Sequence, residues 1–412
     1  MKTVIYNKIE KLLYSSEKFK IQLGLERIFN ILKILGNPQE KIKVIHIAGT
    51  NGKGSVSTMT AQILNCAGYK TALYTSPHLS KYNERFKING QDISDEKLYE
   101  YIFEIDNTAK KNNIDLSEFE LLTATAYKYF YDSKVDFAVM ETGLGGRYDA
   151  VNVVKQPIIT AITSISIDHK DRLGDTIEKI SFEKAGIIKS NVPIIVNANN
   201  RGLKVFEEIA KQKNAPLFCA NKEVNITFEN GINYALFDNE KYEFNLWGLH
   251  QKQNLSLVLQ IIDTLVDNGI KICQKDIIKA LKTVYIPARF EYNREKSRII
   301  DGCHNADAAV MLRKNLDFYF PNKDRCWLYG TLSTKEYDKI VNILFNDGDT
   351  IYLTDFSNSL SVNPYEIRNK IKKSSKKDIQ ILSKTENTLN YFSKNSITII
   401  TGSFYMIGEL LF

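Results

Sequence analysis

The run Val44-Ile45-His46-Ile47-Ala48-Gly49-Thr50-Asn51-Gly52-Lys53-Gly54-Ser55 constrains the fold more than any other stretch of the chain. A short, mostly apolar segment leads into three glycines within six positions, and a segment with apolar spacing near 3.6 follows over 55–64. The pattern reads as a strand, a glycine turn and a helix start. Glycines let backbone N–H groups converge without Cβ clashes, the helix N-terminus adds positive charge, and Lys53 can reach terminal phosphate oxygens. The usual phosphate-loop pattern sets Ser or Thr directly after the lysine and a glycine five positions before the second glycine. Here Gly54 intervenes and Ile47 stands at the earlier position. Taken alone, the stretch fits either a nucleotide cradle or an ordinary tight strand-to-helix turn.

A chain of 412 residues exceeds one typical core, so two domains are expected. The lysines behind the net charge of +7 are scattered, and Lys372-Lys373-Ser374-Ser375-Lys376-Lys377 reads as a solvated helix end and loop. Nucleic acid is therefore not expected as a partner, whereas small anionic substrates are. Five cysteines without a C-x-x-C pair argue against zinc, redox and disulfide frameworks and suit a reducing compartment. The first residues lack a signal h-region, and no apolar run nears the roughly 18 to 20 residues needed to span a bilayer. A soluble, cytoplasmic protein is the expectation.

Ahead of the glycine turn, Ile21, Leu25, Ile28, Leu32 and Leu35 recur at helical spacing up to Gly36-Asn37-Pro38. A strand over 71–75 runs into Ser76-Pro77-His78-Leu79, where Ser76 is either a ligand at a strand's carboxyl end or a turn serine. Helices are predicted near 95–111 and from Ser117-Glu118-Phe119-Glu120, which has capping-box spacing. The strand over 135–140 ends in Glu141-Thr142-Gly143-Leu144-Gly145-Gly146-Arg147-Tyr148-Asp149. A carboxylate closing a buried strand needs compensation from a metal or from an arginine, and Arg147 of the same loop is the local candidate. The strand over 158–163 leads to Asp168-His169. Ser76, Glu141 and His169 thus follow three strands of one expected parallel sheet, whose ends converge on one edge. Together they could share one hard cation with ATP phosphates, which suits Mg²⁺ better than zinc.

Strands over 193–196 and 216–218 extend the sheet, and 224–246 reads as antiparallel ribbon turning at Asn230-Gly231. Trp247-Gly248-Leu249-His250-Gln251-Lys252-Gln253-Asn254 opens a helix, with His250 as a packing residue or a ligand contact. A boundary near Pro287 divides the chain into domains 1–287 and 288–412, the second a βαβ-type unit with strands over 298–301, 326–330, 350–354 and 398–402. Its first strand-to-helix turn is Asp301-Gly302-Cys303-His304-Asn305. Thiol catalysis by Cys303 is not expected, because no acid is arranged behind His304.

In this order and over nearly the full length, the segments resemble the folylpolyglutamate synthase/dihydrofolate synthase family of the Mur ligase superfamily. The matching segments are Leu23-Gly24-Leu25-Glu26-Arg27-Ile28, 49–55, 75–79, 84–90, 141–152, Asp168-His169 with 173–176, 183–187, 248–254, Arg289-Phe290-Glu291 and 301–305. The resemblance implies an α/β fold: a P-loop-type, mostly parallel sheet domain and a smaller Rossmann-like C-terminal domain. It implies an ATP-dependent ligase that phosphorylates a pterin-bearing carboxylate and joins it to L-glutamate, with dihydropteroate or folates as acceptors, acting as a monomer.

It further implies that Gly49, Thr50, Asn51, Gly52, Lys53, Gly54 and Ser55 wrap the phosphates, and that Ser76, Glu141 and His169 hold Mg²⁺. Lys184 would be carbamylated and hold a second Mg²⁺. Asn254, Arg289 and Asp301 would contact ATP, and His304 would lie near the reacting groups with Lys53 and Lys184. The pterin would meet Phe19, Lys20, Ile21, Gln22, Ser117, Glu118, Phe119, Glu120, Tyr148, Asp149 and Ala150. Cys303 and Ala306 depart from the alanine and proline common in the family. Two other readings stand beside this one. A cell-wall Mur-type ligase would need a UDP-binding domain that about 40 residues before the first strand cannot build. A non-catalytic, nucleotide-regulated binding protein would keep the cradle without the chemistry.

Overall fold

The structure is a computed structural model that describes residues 4–13, 24–371, 378–382 and 396–411. Its largest sheet has eight strands: β1 (Lys43–Ala48), β2 (Thr71–Tyr74), β3 (Phe86–Ile88), β4 (Gln91–Asp92), β5 (Phe137–Glu141), β6 (Ile159–Ile162), β7 (Ile194–Asn197) and β8 (Leu217–Ala220). They lie in the order β4-β3-β2-β5-β1-β6-β7-β8, parallel except for β3 and β4. Strands buried on both faces read as near-continuous apolar runs, which is why β1 and β5 lack polar alternation. From β1 the chain moves to β2 and β5 on one side and to β6 on the other, so the carboxyl end of β1 lies where the strand order reverses. Open α/β sheets bind ligands at such a point.

The register aligns Val44, Ala138 and Met140 with Ile162, Ile194 and Val196 on one face of this sheet. Two apolar clusters form there side by side. One packs Tyr127, Phe130 and Leu121 of helix Glu118–Asp132 against Val44 and Met140. The other packs Ile180 and Phe206 against Ile162 and Ile194. Helix Asp95–Lys111 has the predicted span, begun by Ser94, whose hydroxyl accepts from the Lys97 N–H. The apolar repeat before β1 forms helix Glu26–Ile34 and stops at Gly36, with φ of 80°.

Two further sheets follow. The antiparallel ribbon β9 (Asn225–Glu229), β10 (Ile232–Phe237) and β11 (Glu240–Glu243) turns at Asn230 and Gly231, both with positive φ, as a type I′ turn requires. A six-stranded sheet has the order β12-β13-β17-β14-β15-β16, from β12 (Glu291–Asn293), β13 (Arg298–Asp301), β14 (Arg325–Tyr329), β15 (Thr350–Leu353), β16 (Asp378–Ile381) and β17 (Ile397–Thr401). All but β12 run parallel.

Contacts gather the chain into two compact units, 1–224 with 253–281, and 225–252 with 282–412. The ribbon belongs to the second unit because Trp247, Phe228 and Tyr319 stack there, with ring centroids 4.9–5.4 Å apart. The Tyr319 hydroxyl also donates to Asn233 Oδ1 at 2.8 Å. Among the described residues no helix is long and apolar enough to cross a membrane.

Candidate active site

β1 delivers the glycine loop to the edge of the first sheet, and helix Lys53–Cys66 starts directly after it. Two of its glycines are required by packing. A Cβ at Gly49 would stand 1.8 Å from Thr163 Oγ1, and one at Gly52 2.4 Å from Asn254 Oδ1. The loop is clamped by the segment leaving β6. Thr50 N–H donates to Ser164 O at 2.8 Å, and the Thr163 and Ser164 hydroxyls donate to Asn51 O at 2.8 and 3.1 Å. The Asn51 amide donates to Ser166 Oγ at 3.2 Å. Lys53 Nζ donates to Gly49 O and Thr50 O, both at 3.2 Å. The loop and the strand exit that carries Asp168 and His169 are therefore one hydrogen-bonded piece. Asn254 arrives from helix Gln251–Asp267 and packs on Gly52.

Lys184 ends helix Ile177–Lys184 and points at the same loop, with its Nζ donating to Gly49 O at 2.8 Å. Burial, and then the charge of Lys53, lowers this amine from the ordinary lysine value to about 7, with Asp168 and Asp149 opposing the shift. Close backbone approach sets the helix end. Gly146 and Gly186 leave no room for Cβ atoms against Lys184 and Arg147, and Arg147 N–H donates to Glu183 O at 2.8 Å. The Arg147 side chain turns to that helix as well, over the Phe182 ring at 4.1 Å and 3.8 Å from Glu183.

Glu141 closes β5 and is 2% exposed; its Oε2 lies 3.4 Å from the Ser76 backbone N–H. Ser76 and Glu141 thus meet, through the serine backbone. The Ser76 loop is held from behind by Glu84, whose carboxylate accepts from the N–H groups of Leu79, Ser80 and Lys81 at 2.7–2.8 Å. His169 has φ of 50°, caps the short helix Lys170–Leu173, is 43% exposed in its side chain and lies 4.0 Å from Asp168. Ser76 is thus brought to Glu141, whereas the His169 ring meets Asp168, and among the described residues no group of three or more His, Cys, Asp or Glu side chains stands ready as a metal site.

Asp149 is buried and accepts from Leu144 and Val151 N–H at 2.8 and 3.0 Å. Burial raises it to about 6 even so. It caps Ala150–Val153, so Ala150 is buried while Tyr148 stays exposed. Ser117 and Glu120 form the predicted capping box, and Glu120 Oε2 also accepts from Arg27 Nε at 3.2 Å. Glu118 lies in that first helical turn, and the Phe119 ring fills the place of a Cβ on Gly143, 2.5 Å away. Phe19, Lys20, Ile21 and Gln22 lie outside the described residues.

In the second unit Asp301 ends β13. Its Oδ2 accepts from Phe290 N–H at 2.8 Å, and burial raises the carboxyl to about 6 against the pull of Arg289. The Arg289 guanidinium lies over the Phe404 ring at 4.6 Å, and the His304 ring is 5.8 Å from the same phenyl. Phe404 therefore gathers Arg289 and His304, and its ring leaves no space for a Cβ on Gly302. Sequence reasoning missed it; the signal was the Gly402-Ser403-Phe404 turn after the last strand. His250 is a packing residue, held by the Asn315 amide at 3.3 Å and lowered to about 4 by burial and Arg289. Cys303 is buried, and that burial pushes its thiol far up and so disfavours the thiolate that a nucleophile needs.

Comparison with known proteins matches residues 47–262 to the Mur ligase middle domain and residues 284–412 to the dihydrofolate synthetase C-terminal domain. A probable dihydrofolate synthetase of Schizosaccharomyces pombe is 35% identical over 414 aligned positions, which cover 95% of this chain and 98% of that protein. The crystal structure of folylpolyglutamate synthase from Thermotoga maritima superposes with a TM-score of 0.83 at 30% identity, over 98% of this chain and 95% of the other. The crystal structure of a bifunctional folylpolyglutamate synthase/dihydrofolate synthase complexed with AMPPNP and Mn ion from Yersinia pestis gives 0.84 at 26% identity, over 100% of this chain and 98% of the other. A glycine loop at the strand-order reversal, a lysine-lined carboxylate edge and agreement over the whole length lead to one conclusion: the chain belongs to the folylpolyglutamate synthase/dihydrofolate synthase family of the Mur ligase superfamily.

Proposed function

We propose that this chain is an ATP-dependent ligase that joins L-glutamate to a pterin-bearing carboxylate, that of dihydropteroate or the γ-carboxylate of a folate. The observation that carries the reading is the convergence of Lys53 and Lys184 on the phosphate loop beside the Ser76–Glu141 pair. The loop N–H groups and Lys53 hold the phosphates of ATP, the acceptor carboxylate attacks the γ-phosphoryl group, and ADP leaves. The glutamate amine then attacks the acyl phosphate and displaces phosphate. Glu141, Ser76 and His169 would hold Mg²⁺, which neutralises phosphate charge when bound. Asn254, packed on Gly52, binds the nucleotide in the first unit; for Arg289, Asp301 and His304 of the second unit the family resemblance implies contacts to ATP and to the reacting groups. Ser117 to Glu120 and Tyr148 to Ala150 face the pterin.

Lys184 fits carbamylation, since a buried amine at about 7 is largely neutral at physiological pH and only the neutral amine adds to CO₂. The carbamate so formed releases one proton and offers a second cation two oxygens. The five free thiols suit a cytoplasmic location, and a monomer is expected, to be checked by size-exclusion chromatography.

The deciding assay supplies MgATP, L-glutamate and either dihydropteroate or tetrahydrofolate and follows phosphate. Release with one or both acceptors supports the reading and says which ligation occurs. Tight ATP binding with no phosphate from either acceptor would leave a binding protein instead.

A further inference from the structure

His46 lies on the central strand and is fully buried between the two apolar clusters of its sheet face. Its Nε2 is 2.9 Å from Thr142 Oγ1, and its Nδ1 has no hydrogen-bond partner among the described residues. Burial, and then the Lys189 charge, lowers the ring to about 3, so it is neutral and carries one N–H. Thr142 directly follows Glu141, and its own N–H is spent on Ile47 O at 2.9 Å.

A count of hydrogens follows from this geometry. The imidazole has one N–H, the threonine one O–H, and a single hydrogen bond joins them. Whichever group donates, one polar hydrogen remains. If Thr142 donated, the leftover would be a buried Nδ1–H inside the sheet, a rare and costly arrangement. If His46 donates, the leftover is the O–H of Thr142, itself 1% exposed, and at the strand end a ligand oxygen on the sheet's carboxyl edge would satisfy it. There Thr142 stands between Glu141, which meets Ser76, and Gly143, which carries the Phe119 ring.

We infer that His46 is a positioning residue whose Nε2–H donates to Thr142 Oγ1, and that the Thr142 hydroxyl donates in turn to an anionic ligand oxygen of the ligation. The oxygen belongs either to the terminal phosphoryl group or to the carboxylate that receives it. The inference rests on the proposed function and adds to it a hydrogen-bond donor and the residue that aims it. Such a donor gains strength where negative charge develops in a site closed to water.

The test compares wild type with Thr142→Val, Thr142→Ser, His46→Leu and His46→Gln in calorimetric titrations with MgAMPPNP alone and with dihydropteroate alone. Thr142→Val should weaken one titration about tenfold, Thr142→Ser should restore it to within about twofold, and His46→Leu should weaken the same titration. His46→Gln, which keeps an N–H near the Nε2 position, should recover most of the loss. Weakening in the nucleotide arm assigns the phosphoryl oxygen, and weakening in the acceptor arm assigns the carboxylate. Unchanged affinity in both arms for Thr142→Val overturns the inference. Independently of any variant, ¹⁵N spectra of the wild-type histidine side chains should show His46 as the Nε2–H tautomer from pH 5 to 8, and an Nδ1–H tautomer also overturns it. Absence of wild-type turnover in the phosphate assay would count against the ligase reading alone, since the titrations and the tautomer are read without it.

Discussion

Glu141, which is buried, and Asp301, which is half-buried, are carboxylates at the ends of parallel strands, yet their surroundings are built differently. Around Glu141 the architecture is backbone: glycines packed at close quarters, carbonyls taken by Lys53 and Lys184, and a loop pinned to the exit of β6. Around Asp301 side chains dominate: Phe404 collects Arg289 and His304, while the backbone N–H groups of Phe290 and Cys303 hold the carboxylate. A backbone-built site tolerates change at few positions because each glycine and carbonyl has a fixed place. A site gathered by a ring should weaken gradually when the ring is trimmed.

The sharpest way to break this contrast is Glu141→Ala. Loss of the proposed cation ligand is expected to cut turnover by about 10² or more with the fold retained, read from phosphate release and a thermal melt. Near-normal turnover would remove Glu141 from the reaction.

Phe404→Ala should raise KM for ATP by about tenfold, by loss of the cation–π contact and of the packing that places Arg289, with kcat changing less. An equal fall in kcat would make the second site as demanding as the first.

Lys184 gives a bicarbonate-dependent signature that the Asp301 region lacks. Its neutral fraction rises about tenfold from pH 6 to pH 8 around a value of about 7. After exposure to mild acid and removal of CO₂, the return of activity on adding bicarbonate should accelerate in that sense, with a ¹³C carbamate signal accompanying it. Recovery independent of bicarbonate would exclude the carbamate. The stability linkage has a worked sign. The folded value lies below the unfolded value of 10.5, so the unfolded chain binds more protons between pH 7 and 10 and this group's contribution to stability rises across that window.

The smallest expected effect is on Asp301. Its folded value of about 6 exceeds the unfolded value of 3.8, so between those values the folded state binds more protons and stability falls as pH rises. Asp301→Asn should therefore stabilise the protein at pH 7 by roughly 1 kcal/mol and leave it unchanged near pH 3, while ATP binding weakens. Melts at the two pH values separate this from a simple packing change.

Much of the first sheet was legible because burial on both faces leaves apolar runs, and because glycines and capping residues mark where those runs end. The strands before Ser76, Glu141 and His169, the helix over 95–111 and the capping box at Ser117 could all be read this way. Phe404 escaped, since a phenylalanine after a strand has the same local signature whether it fills a core or supports a guanidinium. His46 escaped because a histidine inside an apolar run looks like an ordinary core residue.

The sequence by itself determined the alternation of strands and helices, the glycine loop and the residues that end each strand. These depend on neighbours within a few positions, through backbone sterics and the periods of burial. Only the tertiary structure decided which strand ends meet, since strand order is set by packing between segments a hundred residues apart. It placed Lys184 on Gly49, His46 on Thr142 and the ribbon in the second unit. It also lowered Lys184 and raised Asp301, because desolvation is a property of the assembled surroundings and no residue carries it alone.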